Sequence, residues 1–271
     1  MTTPTTATID MMTLNTWGFR WPLARDRKHR FARINAHLRE TRYDVVALQE
    51  LWAGARTALG DTGLTWAADD VQQERGTRML DSGLGVKVRR GVERGVNAVK
   101  SLVRSFKHHT GWDRVKTKGI LGVEVPVGDV GFVTLVNTHL QAERKHARVR
   151  RTQLDEILQA VDRIESPVIL CGDFNLFGDL PEDRAGHQSL AAAGFRDASE
   201  TIDQPHATYL QRNPYVGGST PDERFDRIYL RDGAHNGKKL RLMAESVRVI
   251  VDHDAPMSDH EAVAARLRLS R

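Results

Sequence analysis

Gly172-Asp173-Phe174-Asn175 follows directly on the apolar run Pro167-Val168-Ile169-Leu170-Cys171, so a carboxylate and a carboxamide stand on a tight turn at the end of a buried strand. With the chain extended around Phe174, Asp173 and Asn175 point to one side and Phe174 to the other, toward the core. Gly172 lets the backbone approach a ligand closely. Strand-then-Gly-Asp is also an ordinary turn, and its company is what distinguishes it. Asn15 follows Met11-Met12-Thr13-Leu14, Gln49-Glu50 follow Val45-Val46-Ala47-Leu48, and Asn137-Thr138-His139 follow Phe132-Val133-Thr134-Leu135-Val136. Asp226 lies within Arg224-Phe225-Asp226-Arg227-Ile228, and Ser258-Asp259-His260 lies close to the C-terminal end. Polar clusters at the ends of hydrophobic strands point to one shared site of oxygen donors and imidazoles.

The elements that would carry these clusters alternate along the chain. Apolar spacing predicts helices over Arg27 to Arg42, Lys145 to Ile164 and Asp183 to Ala193, and strands over Asp44 to Leu48, Ile120 to Val127, Gly131 to Asn137, Phe225 to Leu230, Met243 to Val251 and Glu261 to Leu269. Asp81 to Val86 leads into a further strand, Pro126-Val127-Gly128-Asp129 is a hairpin signal, and Asp203 to Pro221 reads as a loop. Strands joined partly by hairpins and partly by helices favour an α/β (α+β) chain built as a four-layer sandwich, two packed mixed β-sheets flanked by helices. The 271 residues are expected to form a single catalytic domain, 1-271. The single cysteine, Cys171, excludes an internal disulfide and favours a reducing compartment. No run approaches the roughly 18 apolar residues of a membrane-spanning helix. The polar stretch Met1 to Thr8 lacks an export signal, so the expected location is cytoplasmic, with a processed secreted form as the alternative.

The net charge of +5 is concentrated. Between Lys87 and Lys118 stand ten Lys and Arg against two acids, Glu93 and Asp113. Val92, Val96, Val99, Val103 and Phe106 recur there at helical steps, which predicts an amphipathic basic helix from about Gly91 to Lys107 inside a basic insertion at about 87-118. A solvated surface helix is the plain reading. A contact with phosphates or with an anionic membrane surface is the functional one.

The motifs from Asn15 to His260, in their order, resemble the endonuclease/exonuclease/phosphatase superfamily of metal-dependent phosphoesterases. Asn137-Thr138-His139-Leu140-Gln141-Ala142 with Arg151 and Gln153, and Gly111-Trp112-Asp113-Arg114 followed by Lys118-Gly119, look most like its neutral sphingomyelinase branch. Phe225-Asp226-Arg227-Ile228 is also similar to pancreatic-type deoxyribonucleases. The resemblance implies a metal-dependent phosphodiester hydrolase in which Asp173 orients or deprotonates the attacking water and Asn175 holds a phosphate oxygen. It further implies that His139 and His260 bind or protonate the scissile phosphate and that Asp226 fixes one imidazole. Hard oxygen ligands such as Asn15, Glu50 and Asp259 suit Mg²⁺ or Mn²⁺, and the lack of a cysteine cluster excludes a thiolate zinc site. Asn137 and Lys118 are expected substrate contacts. The expected substrate is a phospholipid head group, the expected partner being a phosphodiester, lipid or nucleic acid, with a peripheral membrane contact through the basic segment 87-118. A metal-dependent nuclease gripping a nucleic-acid backbone through the basic segment is the runner-up, and a non-catalytic module recognising an anionic surface is the third reading.

Overall fold

The computed structural model describes residues 5–52, 54–69, 82–114, 117–201, 207–217 and 220–271. Asp81, Lys116, residues 203–206 and residues 218–219, which belong to features expected above, lie outside the described residues.

Two βαβ units face each other. The first is β1 (Thr6–Asn15), α1 (Arg27–Glu40) and β2 (Val45–Gln49), with a single helical turn α2 (Ala55–Ala58) after it. It is completed by β3 (Leu64–Asp69) and β4 (Gly85–Arg89). After β5 (Asn97–Ser105) and β6 (Gly119–Val127), the second unit is β7 (Gly131–His139), α3 (Ala147–Val161) and β8 (Val168–Asp173). Then come α4 (Pro181–Ala192), β9 (Arg196–Asp197), β10 (Asp226–Arg231), β11 (Gly233–His235), β12 (Lys238–Ile250) and β13 (Ala262–Ser270). One sheet has seven strands in the order β11-β12-β13-β1-β2-β4-β3, and the other has six in the order β5-β6-β7-β8-β10-β9. In each, one parallel pair sits among antiparallel neighbours, β1 with β2 and β7 with β8, because a parallel pair needs a crossover and the helices supply it.

The strands of these pairs are buried on both faces, which is why they read as continuous apolar runs. Met11, Val45, Leu135 and Ile169 enter the core between the sheets. Their neighbours Met12 and Val46 meet Phe31, Ile34 and Leu38 of α1. Val136 and Leu170 meet Leu154, Ile157 and Val161 of α3. The result is the expected four-layer arrangement, helix, sheet, sheet, helix.

The basic helix expected from Gly91 to Lys107 is corrected by the structure: a short 3₁₀ turn, Glu93–Gly95, leads into β5, the edge strand of the six-stranded sheet. Its pairing with β6 shifts register between Ala98 and Val103, and such a bulge breaks the two-residue alternation, leaving valines at spacings that imitate a helical face. The segment 87-118 is also no separate basic insertion, since β4 and β5 belong to opposite sheets. Its charges scatter. Lys87 is buried, bonding Thr62 Oγ1 at 3.1 Å under the Trp66 ring. Arg89 pairs with Asp44, Arg90 with Asp61, and Arg104 donates to the Glu156 carbonyl.

One buried ion pair shapes the lips of the cleft described below. The Arg150 guanidinium, wholly shielded from solvent, donates to both oxygens of Asp183 at 3.0 and 2.8 Å and to the carbonyls of Gln141 and Glu143. Asp183 also accepts the Phe177 N–H at 3.0 Å. Removing one partner strands a buried charge, so Arg150→Met is expected to lower stability by about 3–5 kcal/mol, measured by denaturant unfolding; a loss below about 1 kcal/mol would contradict the clamp. Elsewhere, burial and the nearby Arg227 hold the His187 imidazole down at about 4, and its Nδ1 meets the Tyr229 hydroxyl at 2.6 Å. The unfolded chain takes this proton near pH 6.5, so this contribution to stability is full above that pH and declines as the pH falls toward 4. His187→Gln is therefore expected to flatten the pH dependence of unfolding between those limits, and a wild-type slope in the variant would contradict it.

Candidate active site

The carboxyl ends of the two parallel pairs meet across the sandwich. Asn15 Nδ2, at the end of β1, donates to Asp173 Oδ2, at the end of β8, at 2.9 Å in a buried contact. A second bridge lies deeper: Gln49 Nε2 donates to Asn137 Oδ1 at 2.6 Å, and Asn137 Nδ2 donates to the carbonyls of Leu48 and Gly85. Gly172 permits the close packing of β7 on β8, since a Cβ there would stand 2.0 Å from the Thr138 carbonyl oxygen.

Around the first bridge lies a cleft of about 640 Å³ lined by Asn15, Glu50, His139, Asp173, Asn175, Asp259 and His260, with Phe177, Tyr209 and Phe225 as an aromatic wall. Asn175 departs from the extended geometry assumed for it: its backbone is left-handed at φ 50°, and its N–H donates to Asp173 Oδ1 at 3.0 Å. The turn still delivers both side chains to the cleft, while Phe174 is buried in the helix-facing core. Glu50 also has a left-handed backbone, φ 57°, and its carbonyl accepts the Gly18 N–H at 3.0 Å.

His139 Nε2 lies 2.6 Å from Lys118 Nζ, 3.2 Å from Asp173 Oδ2 and 3.9 Å from Glu50 Oε1. His260 Nδ1 lies 2.8 Å from Asp226 Oδ2, and its Nε2 lies 3.9 Å from Asp173 Oδ2. Burial works against charge on His260, but the carboxylates of Asp226, Asp173 and Asp259 outweigh it and hold its pKa well above the ordinary imidazole value. Burial likewise opposes ionisation of Asp173, yet the His260 and His139 imidazoles and the Lys118 ammonium hold it far below the usual carboxylate range. Burial pushes Asp259 up to about 6, with the Glu50 charge adding to it against the pull of His260. Asp173, Asp226 and His260 offer ligand-type atoms within 4.8 Å of one another. Within this trio the His260 imidazole is already bonded to Asp226, while the Glu50 and Asp259 carboxylates face the cleft, Asp259 Oδ1 accepting the Ser258 hydroxyl at 3.1 Å.

Three expected residues stand behind the lining. Asp226 is fully buried beneath His260 and accepts the Thr208 hydroxyl at 2.7 Å. Lys118 is buried behind His139, donating to the Leu140 carbonyl at 2.7 Å. Asn137 is wholly buried and committed to the inter-sheet bridge, not to a cleft surface. Thr208 and Tyr209 were not foreseen. The Thr208 hydroxyl accepts the N–H groups of Phe225 and Asp226, and Tyr209 packs edge-on over His260 with ring centroids 5.1 Å apart. Arg144, bonded to Asp179, extends the cleft rim.

A two-sheet α/β sandwich with carboxylates, carboxamides and imidazoles gathered at the carboxyl ends of its parallel strand pairs is the architecture of a phosphoesterase-type fold. The chain belongs to the Endonuclease/Exonuclease/phosphatase family, whose profile matches residues 12–260. It is 25% identical over 275 residues to a putative neutral sphingomyelinase of Drosophila melanogaster, covering 96% of this chain and 61% of that protein, so it spans about three fifths of that relative's length. Among solved structures it is similar in fold to D. rerio TDP2 complexed with single-strand DNA product, at 20% identity and TM-score 0.69, covering 96% of this chain and 98% of that one. It is also similar to a Staphylococcus aureus beta toxin variant with bound magnesium ions, at 16% identity and TM-score 0.69, covering 95% and 98%.

If Asn137 serves the sheets and not a ligand, Asn137→Ala should cost about 1–3 kcal/mol by removing one of the two buried partners of the Gln49 amide, Thr13 being the other, and leave KM unchanged for any substrate turned over. A raised KM at unchanged stability would return Asn137 to the binding surface.

Proposed function

We propose that this protein is a divalent-metal-dependent phosphodiesterase that cleaves the head group of a phospholipid, as a sphingomyelinase-type phospholipase C does. The reaction class rests on one observation: the convergence of Glu50, Asp259, Asn15, Asp173, Asn175, His139 and His260 on a single cleft, where His260 is backed by Asp226 at 2.8 Å. The lipid substrate is supported by likeness to a putative neutral sphingomyelinase over nearly all of this chain.

The residues present fit a hard divalent cation. Glu50 and Asp259 face the same cleft and repel one another, and together with the Asn15 carboxamide they offer the oxygen donors that Mg²⁺ or Mn²⁺ prefers. Magnesium in the similar beta toxin structure supports the same assignment. When bound, the ion would act as a Lewis acid on a phosphoryl oxygen and on the leaving oxygen.

The chain's own groups handle the remaining charge. Asp173, ionised and fixed by Asn15 and by the Asn175 N–H, accepts a hydrogen bond from the attacking water; held so low, it positions the water more than it drives deprotonation. Asn175, whose Nδ2 is anchored on the Leu140 carbonyl, holds a phosphate oxygen. His260, charged and backed by Asp226, presents Nε2 as a donor to the phosphate, while His139, held by Lys118 behind it, is a second phosphate-binding imidazole of the lining. Water adds to phosphorus, the ester P–O bond breaks, the alcohol takes its proton from His260 Nε2, and the proton released by the attacking water restores that imidazolium.

A nucleic-acid substrate is the competing reading, favoured by the fold shared with a protein solved with single-strand DNA product. Parallel assays of sphingomyelin, lysophospholipid, plasmid DNA and RNA in Mg²⁺ separate the two. Phospholipid cleavage abolished by EDTA is expected; consumption of nucleic acid alone would remove the lipid reading, and full activity in excess EDTA would remove the metal. Asp173→Ala and His260→Ala are each expected to lower kcat by at least about 10²-fold with KM less affected, and Glu50→Gln to raise the metal concentration needed for half activity. Wild-type turnover in any of these would take that residue out of the machinery.

A further inference from the structure

The loop between β1 and α1 carries a feature that the reaction does not use. Its two ends are tied inward: Phe19 and Ala24 are buried with Trp52, the Phe19 and Trp52 rings 4.5 Å apart. Between them a turn closed by the N–H groups of Leu23 and Ala24 on the Arg20 carbonyl turns the tip outward. Trp21 is 81% exposed and Leu23 65% exposed; among the described residues the only other large apolar side chain in this state is Val251, at 37%. The tip is not loose. Arg30 of α1, wholly buried, donates to the carbonyls of Thr16, Trp17 and Arg25 at 2.8 to 2.9 Å, fixing the loop at both sides.

Around this apolar tip basic residues predominate. Arg20, Arg25, Arg27 and Lys28 stand within nine residues of sequence, and the one acid among them, Asp26, is engaged by the Tyr215 hydroxyl at 2.7 Å and by His29 and Arg33. Behind Trp21 opens a cavity of about 520 Å³ with Arg20, Arg27 and Lys28 on its walls and Phe31 and Ala58 deeper in. Burial and the nearby Arg20 both disfavour the Arg27 charge.

We propose that this loop is an interfacial anchor for an anionic phospholipid bilayer: Trp21 and Leu23 enter the head-group boundary while the collar of Arg20, Arg27 and Lys28 takes lipid phosphates. A tryptophan and a leucine beside basic side chains suit that boundary, where a ring with a polar edge and cationic groups are both stabilised. The loop leaves β1 just after Asn15, and Trp52 beneath it lies 6.1 Å from the His139 ring, so docking here brings the cleft to the surface that holds its substrate. The inference rests on the lipid reading of the cleft for its purpose, not for its chemistry. It also puts the membrane contact on residues 20–28 and not on the segment 87–118.

The test is co-sedimentation with vesicles containing no sphingomyelin, either phosphatidylcholine alone or with about 30 mol% phosphatidylserine. Wild type is expected to bind the anionic vesicles, and Trp21→Ser/Leu23→Ser and Arg20→Glu/Lys28→Glu each to bind them at least about tenfold more weakly, with turnover of a small soluble phosphodiester and thermal midpoint unchanged. Equal partitioning of wild type and Trp21→Ser/Leu23→Ser, equal binding to both vesicle types, or loss of DNA binding in the variants without loss of vesicle binding would overturn the anchor. Vesicle binding by a protein that cleaves no phospholipid would support the anchor and overturn the lipid reading instead.

Discussion

The buried hydrogen bond from Asn15 Nδ2 to Asp173 Oδ2 joins the last residue of a strand in one sheet to the last residue of a strand in the other. Everything in the cleft depends on that meeting. Glu50 and Asn15 come from one βαβ unit, His139 and Asp173 from the other, so neither sheet holds the site alone. The packing of valines, leucines and isoleucines between the sheets supplies the non-directional attraction. The polar bridges of Asn15 with Asp173 and of Gln49 with Asn137 fix the register, because a buried carboxamide without its partner costs more than its bond contributes when made. Hydrophobic burial brings the halves together, and hydrogen bonding decides how.

The electrostatics follow from the same burial. Asp173 and Asp226, nearly or wholly shielded from solvent, would be costly as isolated charges. His260 stands between them, Asn15 and the Asn175 N–H bond the two oxygens of Asp173, and Thr208 and His260 share Asp226 Oδ2, while Asp226 Oδ1 is buried without a hydrogen bond. The charged form of His260 is stabilised in turn by the acids around it. A cationic donor and an anionic acceptor are thus held beside one another with little exposure, where each acts more strongly than it would in water. Asp259 is only partly compensated, by His260 and the Ser258 hydroxyl, so burial and the Glu50 charge still raise it, an environment that a metal ion would suit.

The site was largely legible in the sequence because its residues sit at the ends of strands buried on both faces, and those strands read as unbroken apolar runs. Asp173, His139, Glu50 and His260 each follow or precede such a run. Legibility failed where periodicity was disturbed or missing. The bulge in β5 made an edge strand look helical, and β9 and β11, with two and three residues, are too short to show any period. Thr208 and Tyr209 lie in a loop without apolar pattern, and only the fold brings them to Asp226 and His260. Asn137 and His139 share a strand face, but no sequence rule says which of two such side chains meets the opposite sheet and which meets a ligand.

The central claim, that this cleft directs water onto phosphorus with the help of a divalent ion, is tested most directly by hydrolysis of a generic aryl phosphodiester in ¹⁸O-enriched water followed by ³¹P NMR. A phosphomonoester carrying the ¹⁸O isotope shift, formed in Mg²⁺ and absent in EDTA, is the predicted result. Contradiction would be ¹⁸O found in the released phenol, or the same labelled product formed at full rate without the metal.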